Sequence, residues 1–328
     1  MRAAPSVLFA IGQHGAANFF LPVWRQWSAV APAWRWTILL ADQRIRDCVR
    51  QSGSRQAAAL DVASVERSFA EQRPELVITS TSRHPAERAA YTIAKRNGTA
   101  TIQLIDGHYD YAMRLRDTNG NDAAFPDRIL VPDALARAGA EQEGIPRSRL
   151  SVVGHPAWED VPYLPPGDAG RAVFISQPIA SDYGRLRGYT EREAFALTVE
   201  AMTDPQCPYR SLLLAAHPRE RWDPSDLPSG ATVASSSDAA VAACDIVLGM
   251  FSSLLMHCFL SGRRTISVQP RGATSDWCVL SRNGLIPKVV AAKDISAACA
   301  APRGPVEEVR SWYAGSVGRV TATIGSML

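Results

Sequence analysis

The chain has 328 residues, more than one hydrophobic core usually supports, so the sequence predicts two domains of about 150 residues each. Hydrophobic residues make up 46% and charged residues 20% of the chain, which excludes wholesale disorder. The net charge is only +3 and no run of Lys and Arg occurs, so nucleic acid is not expected as a partner.

Short apolar runs alternate with longer helix-like segments, a rhythm typical of a parallel sheet with crossover helices. In the first half, strands are predicted at Ser6–Ile11, Trp36–Ala41, Leu76–Thr79, Thr101–Ile105, Arg128–Val131 and Ser151–Val153. Helices are predicted there at Pro22–Val30, Val62–Glu71, Ala86–Arg96 and Ala134–Glu143.

The same rhythm restarts in the second half. Strands are predicted at Ala172–Ile175, Leu212–Ala215, Ile246–Leu248, Thr265–Val268 and Lys288–Val290, with helices at Glu191–Met202, Ala239–Ala243, Leu254–Leu260 and Trp277–Arg282. The proline-rich segment Val161–Gly167 is typical of a linker. We therefore predict domains at residues 1–160 and 168–328.

The C-terminal segment has an apolar residue at every third or fourth position, which predicts a helix with one buried face. These residues are Val306, Val309, Tyr313, Val317, Val320 and Ile324. The face either packs into a core, with the first domain as one possible site, or lies on a membrane surface.

Six cysteines, at positions 48, 207, 244, 258, 278 and 299, form no C-x-x-C pair, so we expect reduced, mostly buried thiols. The apolar run from Val7 to Ile11 is too short for a signal peptide, and no stretch reaches the roughly 18 apolar residues of a spanning helix. We expect a cytoplasmic protein and leave open a peripheral association with the inner face of the membrane.

In open α/β sheets, ligands bind beyond the carboxyl ends of the strands. The first strand is followed by Gly12, Gln13, His14 and Gly15, where two glycines allow close approach of a ligand. The loop lacks the third glycine of a dinucleotide site, and Pro22 should delay the helix. We expect these four residues to line a substrate; a tight turn without a ligand is the alternative.

A second strand end carries Asp106, followed by Gly107. A carboxylate held rigidly there and partly desolvated suits a general base near neutral pH. Equally, Asp106 could cap the following helix. Tyr111 and Arg114 lie one turn apart on that helix and either line the substrate site or form a surface pair.

Two further strand ends lie in the second half. His217-Pro218 follows an apolar strand, where the imidazole can donate to, or protonate, a leaving phosphate. Ser252 and Ser253 follow Gly249 and open an apolar helix, whose N-terminus favours an anion. A structural turn and a plain helix cap are the respective alternatives.

Several common motifs are missing from the sequence: D-x-D, H-E-x-x-H, a Walker loop and G-x-S-x-G. Their absence argues against the usual catalytic metals, NTPase chemistry and α/β-hydrolase triads. We therefore expect neither a metal nor another cofactor, with phosphate chemistry left to His, Ser and helix dipoles.

Two α/β domains with a Gly-rich first loop, a carboxylate in the first domain and a phosphate site in the second resemble the GT-B glycosyltransferases. The resemblance implies two Rossmann-like domains facing each other across a cleft. Bacterial sialyltransferases and related Kdo transferases carry an acid before Gly, then His-Pro, then Ser-Ser or Ser-Thr. Asp106-Gly107, His217-Pro218 and Ser252-Ser253 occur here in that order, with Ile105 in place of a second acid.

That resemblance implies an inverting, metal-independent transferase that uses a CMP-linked keto-acid sugar such as a sialic acid-like nonulosonate or Kdo. It implies Asp106 as the base and His217, Ser252 and Ser253 as ligands of the donor phosphate. Four further residues are assigned to the donor site: Pro218, Arg219, Gln177 and Gly249. Gln13, His14 or an arginine such as Arg219 is expected to bind the sugar carboxylate, since a guanidinium can bind it through two hydrogen bonds.

The partners implied are a nucleotide-sugar donor and a glycan or glycoprotein acceptor. Three alternatives stay open: a GT-B transferase with a UDP-sugar donor, one with CDP-glycerol, and a non-catalytic binding protein of glycan assembly. Gly154-His155-Pro156 is also similar to UDP-N-acetylglucosamine 2-epimerases. Those enzymes carry Ser-Asp-Ser-Gly-Gly where this chain has Gly249-Met-Phe-Ser-Ser253, which argues against epimerase chemistry.

Overall fold

The structure is a computed structural model that describes residues 4–30, 34–41, 43–51, 57–80, 84–115, 126–271 and 273–328. At residues 14, 28–30, 44, 45, 48 and 51 it describes the backbone alone. The chain divides into two compact units, one formed by Met1–Asp160 with Ser311–Leu328 and the other by Val161–Arg310.

Strands run through both units. In chain order they are β1 (Ser6–Ile11), β2 (Arg35–Leu40), β3 (Ala57–Ala59), β4 (Leu76–Thr79), β5 (Ala100–Leu104), β6 (Arg128–Val131), β7 (Leu150–Val152), β8 (Asp168–Ile175), β9 (Ser211–Ala215), β10 (Ala231–Val233), β11 (Cys244–Gly249), β12 (Arg264–Val268) and β13 (Lys288–Val289).

Helices alternate with the strands. They are α1 (His14–Val30), α2 (Gln43–Gln51), α3 (Val62–Gln72), α4 (Pro85–Arg96), α5 (Tyr111–Leu115), α6 (Ala134–Gln142), α7 (Pro156–Glu159), α8 (Ile179–Tyr183), α9 (Glu191–Glu200), α10 (Ser237–Ala243), α11 (Ser253–Leu260), α12 (Val279–Arg282), α13 (Ile295–Ala300), α14 (Val306–Tyr313) and α15 (Ser316–Gly325).

The first unit is built on a sheet in the order β3-β2-β1-β4-β5-β6-β7, with all neighbours parallel in the described residues. Strand β1 lies inside this sheet, between β2 and β4, and is buried on both faces. Phe9 packs with Trp27 on one side, while Leu8 packs with Phe69 and Ala90 on the other. Burial on both faces explains the uninterrupted apolar run of this strand.

The second unit is built on another parallel sheet, in the order β10-β9-β8-β11-β12-β13. Its centre, β8, lies between β9 and β11, so the loops after these three strands emerge side by side. These loops contain the residues that the sequence assigned to the donor site.

Helix α1 begins at His14, earlier than predicted, and contains Pro22 in its interior. An internal proline costs about 3 kcal/mol because it removes a hydrogen bond and clashes with the preceding turn. Phe19 and Phe20 are buried in the core, and each buried aromatic contributes about 1.5–3 kcal/mol. Tertiary packing therefore outweighs the local preference against this helix.

Two edge strands, β3 and β10, were not predicted. Each has three residues, and β3 is Ala57–Ala59, although alanine is depleted in strands. Their pairing with β2 and β9 supplies the hydrogen bonds that define them.

The predicted C-terminal helix is two helices, separated at Gly315, whose φ of 73° lies in the left-handed region. The predicted apolar face is buried at Val309, Tyr313, Val320 and Ile324. Residues 311–328 belong to the first unit.

The cysteines at 207, 244, 258, 278 and 299 are buried free thiols, which confirms the prediction for these five. The side chain of Cys48 lies outside the described part of the chain. Among the helices described here, none combines the length and the apolar character needed to cross a bilayer.

Candidate functional site

Asp106 and Arg114 form a buried ion pair at the carboxyl edge of the first sheet. Asp106 follows β5, and a guanidinium nitrogen of Arg114, on α5, lies 2.5 Å from its Oδ1. The two side chains are 10% and 11% exposed. Arg114 also donates to the side-chain oxygen of Gln13, after β1, over 3.4 Å. The structure therefore brings three of the predicted site residues together.

The ion pair determines the charge of Asp106. Burial is the largest single effect and raises the pKa of the carboxyl group, but the charge and hydrogen bond of Arg114, together with smaller favourable contacts, hold this pKa below its ordinary value. Asp106 is therefore ionised at neutral pH and is a weaker proton acceptor than the desolvated base expected from the sequence.

The glycines of the first loop make room for side chains of the protein itself. A Cβ on Gly15 would overlap Oδ2 of Asp106, and a Cβ on Gly12 would overlap Glu87 and His84. The amide of Gly12 donates to the buried Glu87 carboxylate over 2.7 Å. In this structure the two glycines permit packing of the loop against carboxylates. The side chain of His14 lies outside the described part of the chain.

A second buried pair lies on the neighbouring strand ends. Nε2 of His108, in the loop after β5, is 2.7 Å from Oδ2 of Asp133, which follows β6. The same oxygen accepts from the hydroxyl of Tyr313 over 2.7 Å, and Oδ1 accepts from the amide of Ala136 over 2.8 Å. Asp133 thus caps α6 and also holds an imidazole and a phenol.

His155 completes this buried group. Its ring stacks on Trp158 with a centroid distance of 3.7 Å, and Phe19 meets it edge-on at 4.8 Å. Its Nδ1 is buried, with no hydrogen-bond partner among the described residues. Burial lowers the pKa of His155 to about 3 against the opposing effect of Asp106, so the ring is neutral at physiological pH.

Tyr111 lies one turn before Arg114 on α5, as predicted, but the two side chains have different neighbours. The ring of Tyr111 packs against Gly139 on α6, where an added Cβ would approach its Cε2 to 2.8 Å. It belongs to an apolar cluster that includes Ile105 and Ile129. Tyr111 is therefore a core residue of the first unit, whereas Arg114 belongs to the polar cluster.

In the second unit, side chains after β8 join the neighbouring strand ends. The hydroxyl of Ser176 donates to Glu220 over 2.7 Å, and the other oxygen of Glu220 accepts from the amide of His217 over 2.8 Å. Gln177 accepts from the amide of Phe251 over 2.9 Å. The loops after β9 and β11 are thus both fixed to the end of β8.

His217 is partly exposed at the end of β9, and its Nδ1 accepts from the amide of Arg219 over 3.2 Å. A neutral ring that accepts at Nδ1 carries its proton on Nε2, so this nitrogen is a donor. Pro218 is exposed beside it. The loop therefore fixes the direction of the imidazole, as a phosphate ligand requires.

Ser252 is the N-cap of α11, and its hydroxyl accepts from the amide of Leu254 over 3.2 Å. Ser253 is exposed in the first turn. Gly249 packs closely, because a Cβ there would approach Leu255 Cδ2 to 3.0 Å and the carbonyl oxygen of Ile175 to 3.2 Å. The cap predicted as an alternative is therefore present, and the hydroxyl of Ser252 can still donate to an anion.

Arg219 has a protein partner: two of its nitrogens each lie 2.6 Å from an oxygen of Asp182. This bidentate pair engages the two guanidinium nitrogens that were predicted to bind a sugar carboxylate.

Arg187 was not predicted to be part of the site. Its guanidinium lies 3.7 Å from the ring centroid of Trp277 and 4.0 Å from that of Tyr183, with Phe251 at 5.6 Å. These aromatic residues come after β12, β8 and β11. The stacked cation therefore connects the loops at this edge of the second sheet.

Sequence reasoning also missed Asp133, His155 and Tyr313 in the first unit. Asp133 and His155 both follow predicted strands, so the rule that found Asp106 could have found them. Tyr313 gave no such signal, because it lies 180 residues from Asp133 and was assigned to an apolar face.

Comparison with known proteins gives the fold. No family model and no curated protein matches the sequence. Among solved structures, the calicheamicin glycosyltransferase CalG4 is 15% identical with a TM-score of 0.61, and the match covers 100% of this chain and 99% of that one. The UDP-GlcNAc 2-epimerase from Neisseria meningitidis bound to UDP-GlcNAc is 10% identical with a TM-score of 0.63, over 98% and 100% of the two chains. S. aureus MnaA with UDP is 10% identical with a TM-score of 0.61, over 94% and 90%.

These identities show the fold alone. The chain has the two-domain α/β fold of the GT-B type, and the predicted fold class of two Rossmann-like domains is confirmed. Transferases and epimerases share this fold, so the likeness does not single out the CMP-dependent sialyltransferase and Kdo families.

Proposed function

We propose that the protein is a glycosyltransferase that uses a UDP-sugar, with the donor bound by the second unit. One observation carries this proposal. At the carboxyl edge of the second sheet, His217 follows β9 and the first turn of α11 follows β11, and these two strands lie on either side of β8. A directed imidazole N–H, two hydroxyls and a helix N-terminus form a donor set for phosphate. This proposal keeps His217, Ser252 and Ser253 in the roles predicted from the sequence.

Two observations support UDP over the CMP-linked keto-acid sugar expected from the sequence. Solved structures of the same fold hold UDP or UDP-GlcNAc. In addition, Arg219, the cation among the residues considered for binding a keto-acid carboxylate, is paired with Asp182. A neutral hexose linked to UDP needs no such cation.

Transfer is favoured over epimerisation by the segment Gly249–Ser253. It has two serines and no acid, unlike the Ser-Asp-Ser-Gly-Gly signature of the epimerases. Hydroxyls and a helix N-terminus can bind a departing diphosphate without themselves taking a proton.

The proposed reaction forms a bond between the acceptor oxygen and the anomeric carbon while the bond from that carbon to the phosphate oxygen breaks. UDP leaves with the electron pair, and the acceptor hydroxyl loses its proton to a base. Nε2 of His217 and the hydroxyls of Ser252 and Ser253 donate to the departing phosphate and stabilise its growing charge. Asp106, the predicted base, is ionised but is weakened as a proton acceptor by Arg114.

Ligand-dependent unfolding tests this proposal. We expect UDP to raise the melting temperature, since a ligand at about a hundred times its Kd adds about 2.7 kcal/mol of stability. UMP, CMP, CDP and NAD should stabilise less. His217→Ala should weaken the response to UDP, whereas Thr232→Ala, exposed on the edge strand β10, should leave it intact. UDP release from UDP-GlcNAc and other UDP-sugars, with acceptor glycosides present, then identifies the transfer.

The other outcomes decide among the alternatives. Stabilisation by CMP above UDP would contradict the UDP donor and restore the CMP-linked keto-acid sugar. A response to CDP would favour CDP-glycerol. A change of sugar configuration without an acceptor would identify an epimerase. Stabilisation by none of these nucleotides would refute the proposal in favour of a non-catalytic glycan-assembly protein.

A further inference from the structure

Arg219 belongs to the tight turn of the second unit that begins at His217. The amide of Glu220 donates to the carbonyl oxygen of His217 over 2.8 Å and closes this turn. Pro218 takes the second position of the turn, where its fixed φ is favourable. The amide of Arg219 donates to Nδ1 of His217 over 3.2 Å. Arg219 is therefore held beside the imidazole that the proposed function assigns to the donor phosphate.

The side chain of Arg219 reaches the neighbouring strand end. Asp182 lies on α8, the short helix after β8, and β8 pairs with β9, which precedes the turn of Arg219. Two guanidinium nitrogens of Arg219 each lie 2.6 Å from a different oxygen of Asp182. Two-point pairing of this kind adds geometric specificity to the energy of a charge-assisted hydrogen bond. Asp182 thus takes the part of the guanidinium that a carboxylate of a ligand would need.

The Arg219–Asp182 pair is open to solvent. The side chain of Arg219 is 58% exposed and that of Asp182 is 31% exposed. Exposed ion pairs contribute little to stability, because water and salt screen them. Removal of the pair should therefore leave the fold intact, and its larger effect is expected on ligands that bring a charge to this edge of the sheet.

Two further carboxylates lie at the same strand ends. Glu220 accepts from the hydroxyl of Ser176 and from the amide of His217. Glu191 accepts from the amide of Ala180, on α8, over 2.9 Å. Burial, and to a smaller degree the charge of Glu191, raise the pKa of Glu220 above its ordinary value. A ligand carboxylate placed here would meet negative charges, and repulsion between like charges is strongest where water is partly excluded.

We propose that Asp182 determines the charge of the donor sugar: by holding Arg219, it restricts the donor to a neutral sugar and excludes sugars that carry a carboxylate. This inference rests on the proposed function, because it names the substrate class of the same donor site. The donor phosphates are met by Nε2 of His217, by serine hydroxyls and by the N-terminus of α11. A sugar carboxylate would instead meet a cation that is already paired. The exclusion covers hexuronates linked to UDP as well as keto acids linked to CMP.

The first experiment compares two donors that differ in one group. UDP-glucose and UDP-glucuronate differ only at the last carbon of the sugar, which is a hydroxymethyl group in one and a carboxylate in the other. Their Kd values for the wild type are measured by isothermal titration calorimetry at neutral pH. We expect UDP-glucose to bind at least about tenfold more tightly, because the added charge meets carboxylates and no available guanidinium.

The second experiment releases the guanidinium. Asp182→Asn keeps the size of the side chain but removes its charge, so Arg219 can pair with the carboxylate of UDP-glucuronate. The preference for UDP-glucose, expressed as the ratio of the two Kd values, should fall by about tenfold. In the double variant Asp182→Asn/Arg219→Gln the preference should return to that of the wild type, because the released cation is gone.

A matched control makes the same substitution in another exposed pair of this unit. Asp245, at the amino end of β11, lies 3.3 Å from a guanidinium nitrogen of Arg303. Asp245→Asn removes one negative charge at the opposite edge of the second sheet, so the preference for UDP-glucose should stay as in the wild type. An equal change in Asp245→Asn and Asp182→Asn would refute a local effect of Asp182.

The outcomes separate this inference from the proposed function. If the wild type binds UDP-glucose and UDP-glucuronate equally well, or if Asp182→Asn keeps the wild-type preference, Asp182 does not select the sugar and the proposed function stands. A loss of preference that persists in the double variant would refute the role of Arg219. If the wild type binds neither UDP nor these two UDP-sugars, the proposed function and the inference both fail.

Discussion

Replacement of His155 by Phe should change how the stability of the protein depends on pH. In the folded chain burial lowers the pKa of His155 to about 3, from an ordinary value of 6.5. Below the unfolded value, the unfolded chain binds a proton that the folded chain does not. The contribution of this neutral ring to stability is therefore fully present above pH 6.5 and is lost as the pH falls toward 3.

The magnitude follows from the difference in protons bound. From neutral pH to about pH 5 the wild type should lose roughly 2 kcal/mol of unfolding free energy through His155, at about 1.4 kcal/mol per pH unit below 6.5. Phe keeps a ring for the stack on Trp158 and the contact with Phe19, and it removes a nitrogen that has no partner among the described residues. At neutral pH the variant should equal or exceed the wild type in stability.

Urea unfolding measures this difference. Free energies of unfolding are determined for both proteins at several pH values from about 5 to 8, with tryptophan fluorescence as the signal. If the two units unfold in separate steps, the effect belongs to the step of the first unit. His84 and His257 also have pKa values lowered by burial, but they are common to both proteins and cancel in the comparison. Parallel curves for the two proteins across this range would refute the reasoning.

Two further predictions concern packing and a buried cation. Gly15→Ala should lower the free energy of unfolding by about 1–3 kcal/mol, because the new Cβ overlaps Asp106. In the control Gly318→Ala the Cβ meets open space, so the free energy of unfolding should rise by up to about 1 kcal/mol in the same denaturation assay. Equal effects of the two substitutions would contradict the predicted clash. Arg263→Met should lower the free energy of unfolding by about 3–5 kcal/mol, because the buried guanidinium donates to the carbonyls of Pro165, Val241 and Ala242. A melting temperature equal to that of the wild type would show that these carbonyls find other partners.

Most of the architecture could be predicted because it follows from local patterns. Apolar runs of strand length, separated by amphipathic segments, predicted β1, β4 and β6 with their observed bounds and placed most of the remaining strands within a few residues. The edge strand β3 could not be found this way, because its alanines become a strand only by pairing with β2. The first two turns of helix α1, before the predicted start at Pro22, could not be found either, because burial of Phe19 and Phe20 outweighs the effect of Pro22.

By itself the sequence determined which strand ends carry reactive groups, because a polar side chain directly after an apolar run is visible without any contact. The tertiary structure decided the partners of these groups. Arg114 pairs with Asp106, Asp182 pairs with Arg219, and Tyr313 reaches Asp133 from 180 residues away. The charge and the proton affinity of a side chain depend on such neighbours, which the order of residues along the chain does not show directly. The protonation of each group could therefore be inferred only from the folded structure.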